Sequence, residues 1–213
     1  EGWAAKNRKQ HQGFLDQVEA EPALHAELVG WFMTLPLWLD LPGLRVVHAC
    51  WHAPFIEWLS PRLRDGRFLT PDLLMDATTE PLDPAEKDNA VPSIFKAVEA
   101  LTKGLEISIP EEHRFVDKDG IVRERVRVGW WDQDAVSLQD IALLPDCKRL
   151  ALPKLAVPDH VRLTPVDTKP TFFGHYSMVG EPQLLSETAV CVDYSLGRDG
   201  RLVAYRWEQG SPL

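Results

Sequence analysis

Proline placement constrains this chain more than any other feature. Seventeen prolines punctuate the chain, and each ends or interrupts a helix or strand that reaches it, since a proline inside either one removes a backbone donor and breaks the pattern. They are densest from Leu143 to Pro170, which predicts a long irregular crossing with only short strands. From Gln10 to Trp31 the apolar residues Phe14, Leu15, Val18, Leu24, Leu28 and Val29 recur at mostly helical spacing. Pro22 interrupts them, so two short helices are expected.

The segment LPLWLDLPGLRVVHACW is rich in branched and aromatic residues and breaks at Pro42-Gly43, the pattern of a hairpin whose second arm is Leu44 to Cys50. Phe55 to Leu63 and Pro71 to Met75 suit short helices, and Thr78 to Asn89 reads as a polar loop. Val91, Ile94, Phe95, Val98 and Leu101 form one apolar stripe, and Gly104 stands where a helix C-terminus needs it. Leu105 to Ile109 reads as extended. Asp117-Lys118-Asp119-Gly120 is a turn signal. After it, Val122, Val126, Val128 and Trp130 alternate with Arg123, Arg125 and Arg127, giving one apolar and one basic face. Glu187 to Tyr194 and Arg201 to Trp207 are predicted as two closing strands around Gly197-Arg198-Asp199-Gly200. Short strands mixed with helices make an α/β or α+β layer structure.

At 213 residues, 45% apolar and 26% charged, the chain is one ordinary globular domain with enough length to bury a core. Cys50, Cys147 and Cys191 are odd in number and scattered, neither a disulfide framework nor a zinc knot. A net charge of −9 argues against a general nucleic-acid surface, although a bound metal could still attract a small anion. No apolar stretch reaches the ~20 residues that span a bilayer. Acidic composition, odd cysteine count and no visible export segment suggest a cytoplasmic protein.

Two segments carry chemistry. In Val46-Val47-His48 an apolar strand ends at a histidine, and in Phe172-Phe173-Gly174-His175 another does, with Gly174 permitting unusual backbone geometry. An imidazole at the mouth of a sheet can ligate Zn, Fe or Mn, or it can serve the core or a hydrogen bond. The spacing alone leaves both open. A mononuclear zinc site at His48-x-x-x-His52 fits poorly, because it lacks the glutamate of His-Glu-x-x-His.

Taken together, LPL…LRVVHACW, PTFFGHYSMVGEP and AVCVDYSLGRDGRLVAYRW resemble the distal half of calcineurin-like metallophosphoesterases, chiefly bacterial members grouped with serine/threonine phosphatases and diadenosine polyphosphate hydrolases. The resemblance runs through nearly the whole chain. It implies part of an α/β two-sheet sandwich flanked by helices, with an insertion at about 53–120. By carry-over, His48 and His175 ligate one of two divalent transition metals, Mn first and Fe or Zn next. The family's later histidine falls at Ser177, as in the protein-phosphatase branch. The family's Asp-x-His, Gly-Asp-x-x-Asp and Gly-Asn-His motifs do not occur before His48. The expectation is therefore a chain lacking the N-terminal half of its catalytic domain and inactive alone. The alternative is a non-catalytic binding or scaffolding domain on the same fold.

The resemblance also implies a small phosphorylated molecule or a phosphoprotein as substrate. Arg123, Arg125 and Arg127 are candidates to clamp phosphate, since a guanidinium offers two parallel donors; otherwise they form a solvated strand face. Tyr176 is expected beside the metal or along the substrate pocket. Asp193 is expected behind the ligands, because a carboxylate inside a strand needs a partner. His52 could reach substrate or simply start a helix. Cys50 and the tryptophans at 130, 131 and 207 are read as core, with base stacking by one tryptophan as the alternative for a nucleotide substrate.

Overall fold

The computed structural model describes Arg8, residues 11–116, 120–164, 167–211 and Leu213, with Arg198 as backbone only; of the turn predicted at 117–120, residues 117–119 lie outside them. The architecture is mixed α/β. Helices α1 (Gln12–Val18) and α2 (Pro22–Phe32) come first, with Pro22 at the start of the second, as the interruption predicts. Strands β1 (Trp38–Asp40) and β2 (Arg45–Val47) form the expected hairpin across Pro42-Gly43. Helices α3 (Ala53–Leu59) and α4 (Pro71–Thr78) follow, then α5 (Ile94–Lys103).

Helix α5 shows how closely local sequence sets an element. Ser93 Oγ accepts the Lys96 amide at 3.2 Å as an N-terminal cap. Phe95 and Leu101 bury one face, and Gly104 ends the helix at φ 84°, ψ 179°, a region open essentially to glycine alone. The chain then runs into β3 (Glu106–Ser108), β4 (Phe115–Val116), β5 (Val122–Arg123) and β6 (Arg125–Arg127). The alternating segment is thus not one strand. It breaks at Glu124, with β5 paired to β4 and β6 paired to β3 in two separate ladders. Short helices α6 (Leu138–Ile141) and α7 (Asp146–Arg149) interrupt the proline-rich crossing before β7 (Thr171–Phe173) and β8 (Ala189–Cys191).

The main sheet has the order β1-β2-β7-β8. β2, β7 and β8 are mutually parallel, and β1 is an antiparallel edge. Its inner face meets a core in which Leu59, Leu101, Ile107, Val128 and Phe173 are almost fully buried. Trp130 and Trp131 pack on Phe173 at 4.9 and 5.1 Å between ring centroids, and Trp130 Nε1 donates to the Ala49 carbonyl at 3.1 Å. Cys50 is buried as expected, and burial pushes its thiol well up.

The second closing strand does not form. Residues 201–208 belong to no sheet among the described residues. Ser195 and Asp199 both take left-handed conformations, and Arg201 N to Tyr194 O (3.2 Å) is the last backbone bond of the turn before the chain departs. Tyr205 then crosses the outer face of the sheet against Phe172, at 5.7 Å. Trp207 belongs to this segment, lies against Gly43 and is only half-buried. No helix among the described residues is long and apolar enough to cross a membrane.

Candidate metal and anion site

Parallel pairing decides where the two histidines go. Because β2 and β7 run the same way, both carboxyl ends lie at one edge of the sheet, where open α/β sheets commonly bind ligands. Gly174 N donates to His48 O at 3.0 Å, continuing the ladder one step past the strands. The imidazoles of His48 and His175 stand with centroids 5.2 Å apart and planes at 55°. Two imidazoles on one ion, with nitrogens at ~2.0–2.1 Å and tetrahedral to octahedral angles, should have centroids about 4.6–5.3 Å apart.

His175 is held in a left-handed backbone conformation, φ 68°, and Ser177 follows at φ 49°. Such conformations cost of order 1–3 kcal/mol outside glycine and collect at ligand sites. His48 is exposed, whereas His175 is half-buried. Burial pushes the His175 pKa down to about 4, helped by the charges of Arg127, His48 and Lys103 and opposed by Asp193. It is therefore neutral at physiological pH and free to use a lone pair.

Polar atoms without partners gather here. Among the described residues five buried side-chain atoms lack a hydrogen bond, and three belong to this site: His175 Nε2, Tyr176 Oη and Arg127 Nε. Arg127 has no hydrogen bond or ion pair with any described residue, and its guanidinium lies 5.7 Å from the Tyr176 ring. Each buried orphan costs about 1–3 kcal/mol unless something else satisfies it.

The other predicted site residues are dispersed. Arg125 is bound in parallel to Asp88 at 2.7 and 3.0 Å and to Ser108 at 2.7 Å. Arg123 is exposed on β5 opposite Phe115, in a different ladder. Asp193 lies two residues beyond β8 and not inside a strand; its carboxylate accepts the Ser195 amide at 3.0 Å, and Gly174 packs against its Cβ side. Tyr176 is buried against Trp131 and Phe173, with its hydroxyl pressed on Gly104. His52 starts α3: its Nδ1 accepts the Phe55 amide at 3.1 Å, its ring stacks on Phe55 at 3.8 Å, and burial lowers its pKa to about 4.

Nothing in the sequence marks Lys103, whose charge reaches His175, because a lysine in the last turn of a helix is ordinary. Nor does any local pattern mark Lys96, buried on α5 with four acceptors around its ammonium. No group of three or more His, Cys, Asp or Glu able to hold a metal occurs among the described residues. Protein-family models, curated proteins and solved structures yield no match to this chain.

Proposed function

We propose that this chain supplies part of the centre of a metal-dependent hydrolase of phosphate esters or nucleotide phosphoanhydrides, related to calcineurin-like metallophosphoesterases. The observation that carries the reading is the 5.2 Å approach of His48 and His175, which suits two ligands of one ion. The four-stranded sheet would be one layer of the family's two-sheet sandwich. A divalent transition metal, Mn first and Fe or Zn next, would polarise a phosphoryl oxygen and, with a second ion, supply a nucleophile at neutral pH.

The chain's own residues have separable parts in this reading. His48 and His175 hold the ion as neutral imidazoles. Arg127 carries an unoffset charge beside them and offers its donors to phosphoryl oxygens. Asp193, whose carboxylate accepts the Ser195 amide, acts on His175 through its charge, which opposes the lowering of the imidazole pKa. Two imidazoles cannot neutralise a divalent ion, and nothing among the described residues bridges two metals. The 213 residues alone should therefore bind metal weakly and turn over essentially no substrate. That same shortage favours a second reading, a non-catalytic binding or scaffolding domain.

Mn²⁺ titration of the wild-type chain, H48A and H175A tests the site. Each substitution should weaken binding by more than the roughly 10–100-fold that follows loss of an outer partner. Binding that survives both substitutions would overturn the assignment. Assay of the whole gene's product with an aryl phosphate and a dinucleoside polyphosphate separates the two functions. Mn²⁺-dependent turnover supports the hydrolase, and metal-free inactivity supports the scaffold.

A further inference from the structure

Arg127 belongs to two places at once. Besides standing next to His175, it lines a separate cleft of about 90 Å³ between α5 and β6. That space holds roughly three waters at ~30 Å³ each, the bulk of one tetrahedral oxyanion. Five lysines and arginines line it (Lys87, Lys96, Lys103, Arg125 and Arg127) against two acids, Glu99 and Glu106. In a chain of net charge −9 this is a local inversion of sign.

Ion pairing leaves that charge unevenly offset. Arg125 is committed to Asp88. Lys87 is paired chiefly with Glu80 at 3.2 Å and lies 4.0 Å from Glu99, which Lys103 approaches at 3.3 Å. Lys96 has no carboxylate partner among the described residues; its ammonium is saturated by the carbonyls of Glu86, Asn89 and Val91 and by Asn89 Oδ1. It contributes field without a free donor. Arg127 contributes both.

We propose that this cleft receives a second phosphoryl group of the ligand, with Arg127 shared between it and a first group that Arg127 anchors beside the histidines, so that diphosphates are preferred over monophosphates. The inference rests on the reading of the histidine pair given above. Lys103 would turn from Glu99 toward the incoming anion, exchanging a partly exposed ion pair of small net value for charge-assisted bonds to phosphate, while Lys87 stays near Glu80 and adds its field.

Calorimetric titration of the 213-residue chain in EDTA, with orthophosphate, pyrophosphate and ADP as probes, tests it. Pyrophosphate should bind at least about tenfold tighter than orthophosphate, the value of one additional charge-assisted contact. K87A/K103A should lose about three- to tenfold in pyrophosphate affinity and leave orthophosphate within a factor of about two. K103A alone, at a side chain 62% exposed, keeps the test valid should the double variant fold poorly. Equal affinity for the two inorganic anions, or a preference untouched by K103A, overturns the subsite. ADP matching pyrophosphate points to a nucleotide source and ADP failing to bind points to an inorganic one; either supports the subsite. Mn²⁺ titration keeps the two claims apart. A chain that binds Mn²⁺ through His48 without preferring pyrophosphate sinks the subsite alone, and a pyrophosphate preference without Mn²⁺ binding sinks the metal reading alone.

Discussion

Gly174 donates its amide to the His48 carbonyl at 3.0 Å, and this one backbone bond sets the spacing of the two imidazoles. It joins the first residue past β2 to the first past β7. His48 is in register with Gly174, and His175 lies one residue further on, where its left-handed backbone conformation leaves its ring 5.2 Å from that of His48. A cation has two donors in reach there without any long-range adjustment of the fold.

Arg125 and Arg127 sit two residues apart on one face of β6 and should behave oppositely when truncated. R125A strips a part-buried Asp88 of its paired donors and should destabilise the chain by about 2 kcal/mol. R127A removes a charge with no partner among the described residues and should leave stability unchanged or raise it by up to about 1 kcal/mol while abolishing orthophosphate binding. Urea unfolding alongside anion titration gives both values. Equal stability losses for the two variants would contradict the division.

That division was not legible in the sequence. Val-Arg alternation correctly put Arg125 and Arg127 on one face of a strand, but Asp88 and Ser108, which engage Arg125, lie 37 and 17 residues away. No local pattern encodes such meetings. What local pattern does encode came through: helix α5 with its Gly104 end, the β1–β2 hairpin, and two histidines at strand ends. Parallel pairing of β2 with β7 spans more than 120 residues, so the closeness of His48 and His175 followed only from the family resemblance. The predicted strand at Arg201–Trp207 failed because alternation guarantees no partner edge.

Gly104 and Tyr176 are coupled sterically. A Cβ at Gly104 would come within 2.3 Å of Tyr176 Oη, and alanine is also strained at φ 84°. G104A should therefore destabilise by about 3 kcal/mol. Y176F deletes a buried hydroxyl without a partner and should be neutral or stabilising by up to about 1 kcal/mol. Y176F/G104A should recover part of the G104A loss. Additive effects in thermal or urea unfolding would show that the contact does not constrain the backbone.

Lys96 holds the 86–91 segment against α5 through four bonds of 2.6–2.9 Å. Burial lowers its pKa, with Glu86 and Asp88 opposing. K96M would leave three backbone carbonyls without a donor and should cost about 2–4 kcal/mol. Hydrogen exchange should also rise selectively across 84–91. Protection there equal to the wild type's would mean the lysine is incidental to the segment.

His52 makes stability depend on acid. Burial, the largest influence, lowers its pKa from 6.5 to about 4, and Lys96 adds to the effect. The folded protein therefore stays unprotonated at this position where the unfolded chain takes up a proton. Between pH 6.5 and 4 the unfolded state binds more protons, so stability falls as pH falls; above 6.5 neither state titrates here and the contribution is constant. At about 1.36 kcal/mol per pH unit, the full loss by pH 4 is roughly 3 kcal/mol. Protonation would also remove the Nδ1 lone pair that accepts the Phe55 amide, releasing the first turn of α3. H52N keeps an oxygen able to cap that turn and has no titration. Urea unfolding at pH 7 and pH 5 should show a smaller acid loss in H52N than in the wild type, by about 2 kcal/mol. Identical losses in the two proteins would mean that His52 is not held neutral by the fold.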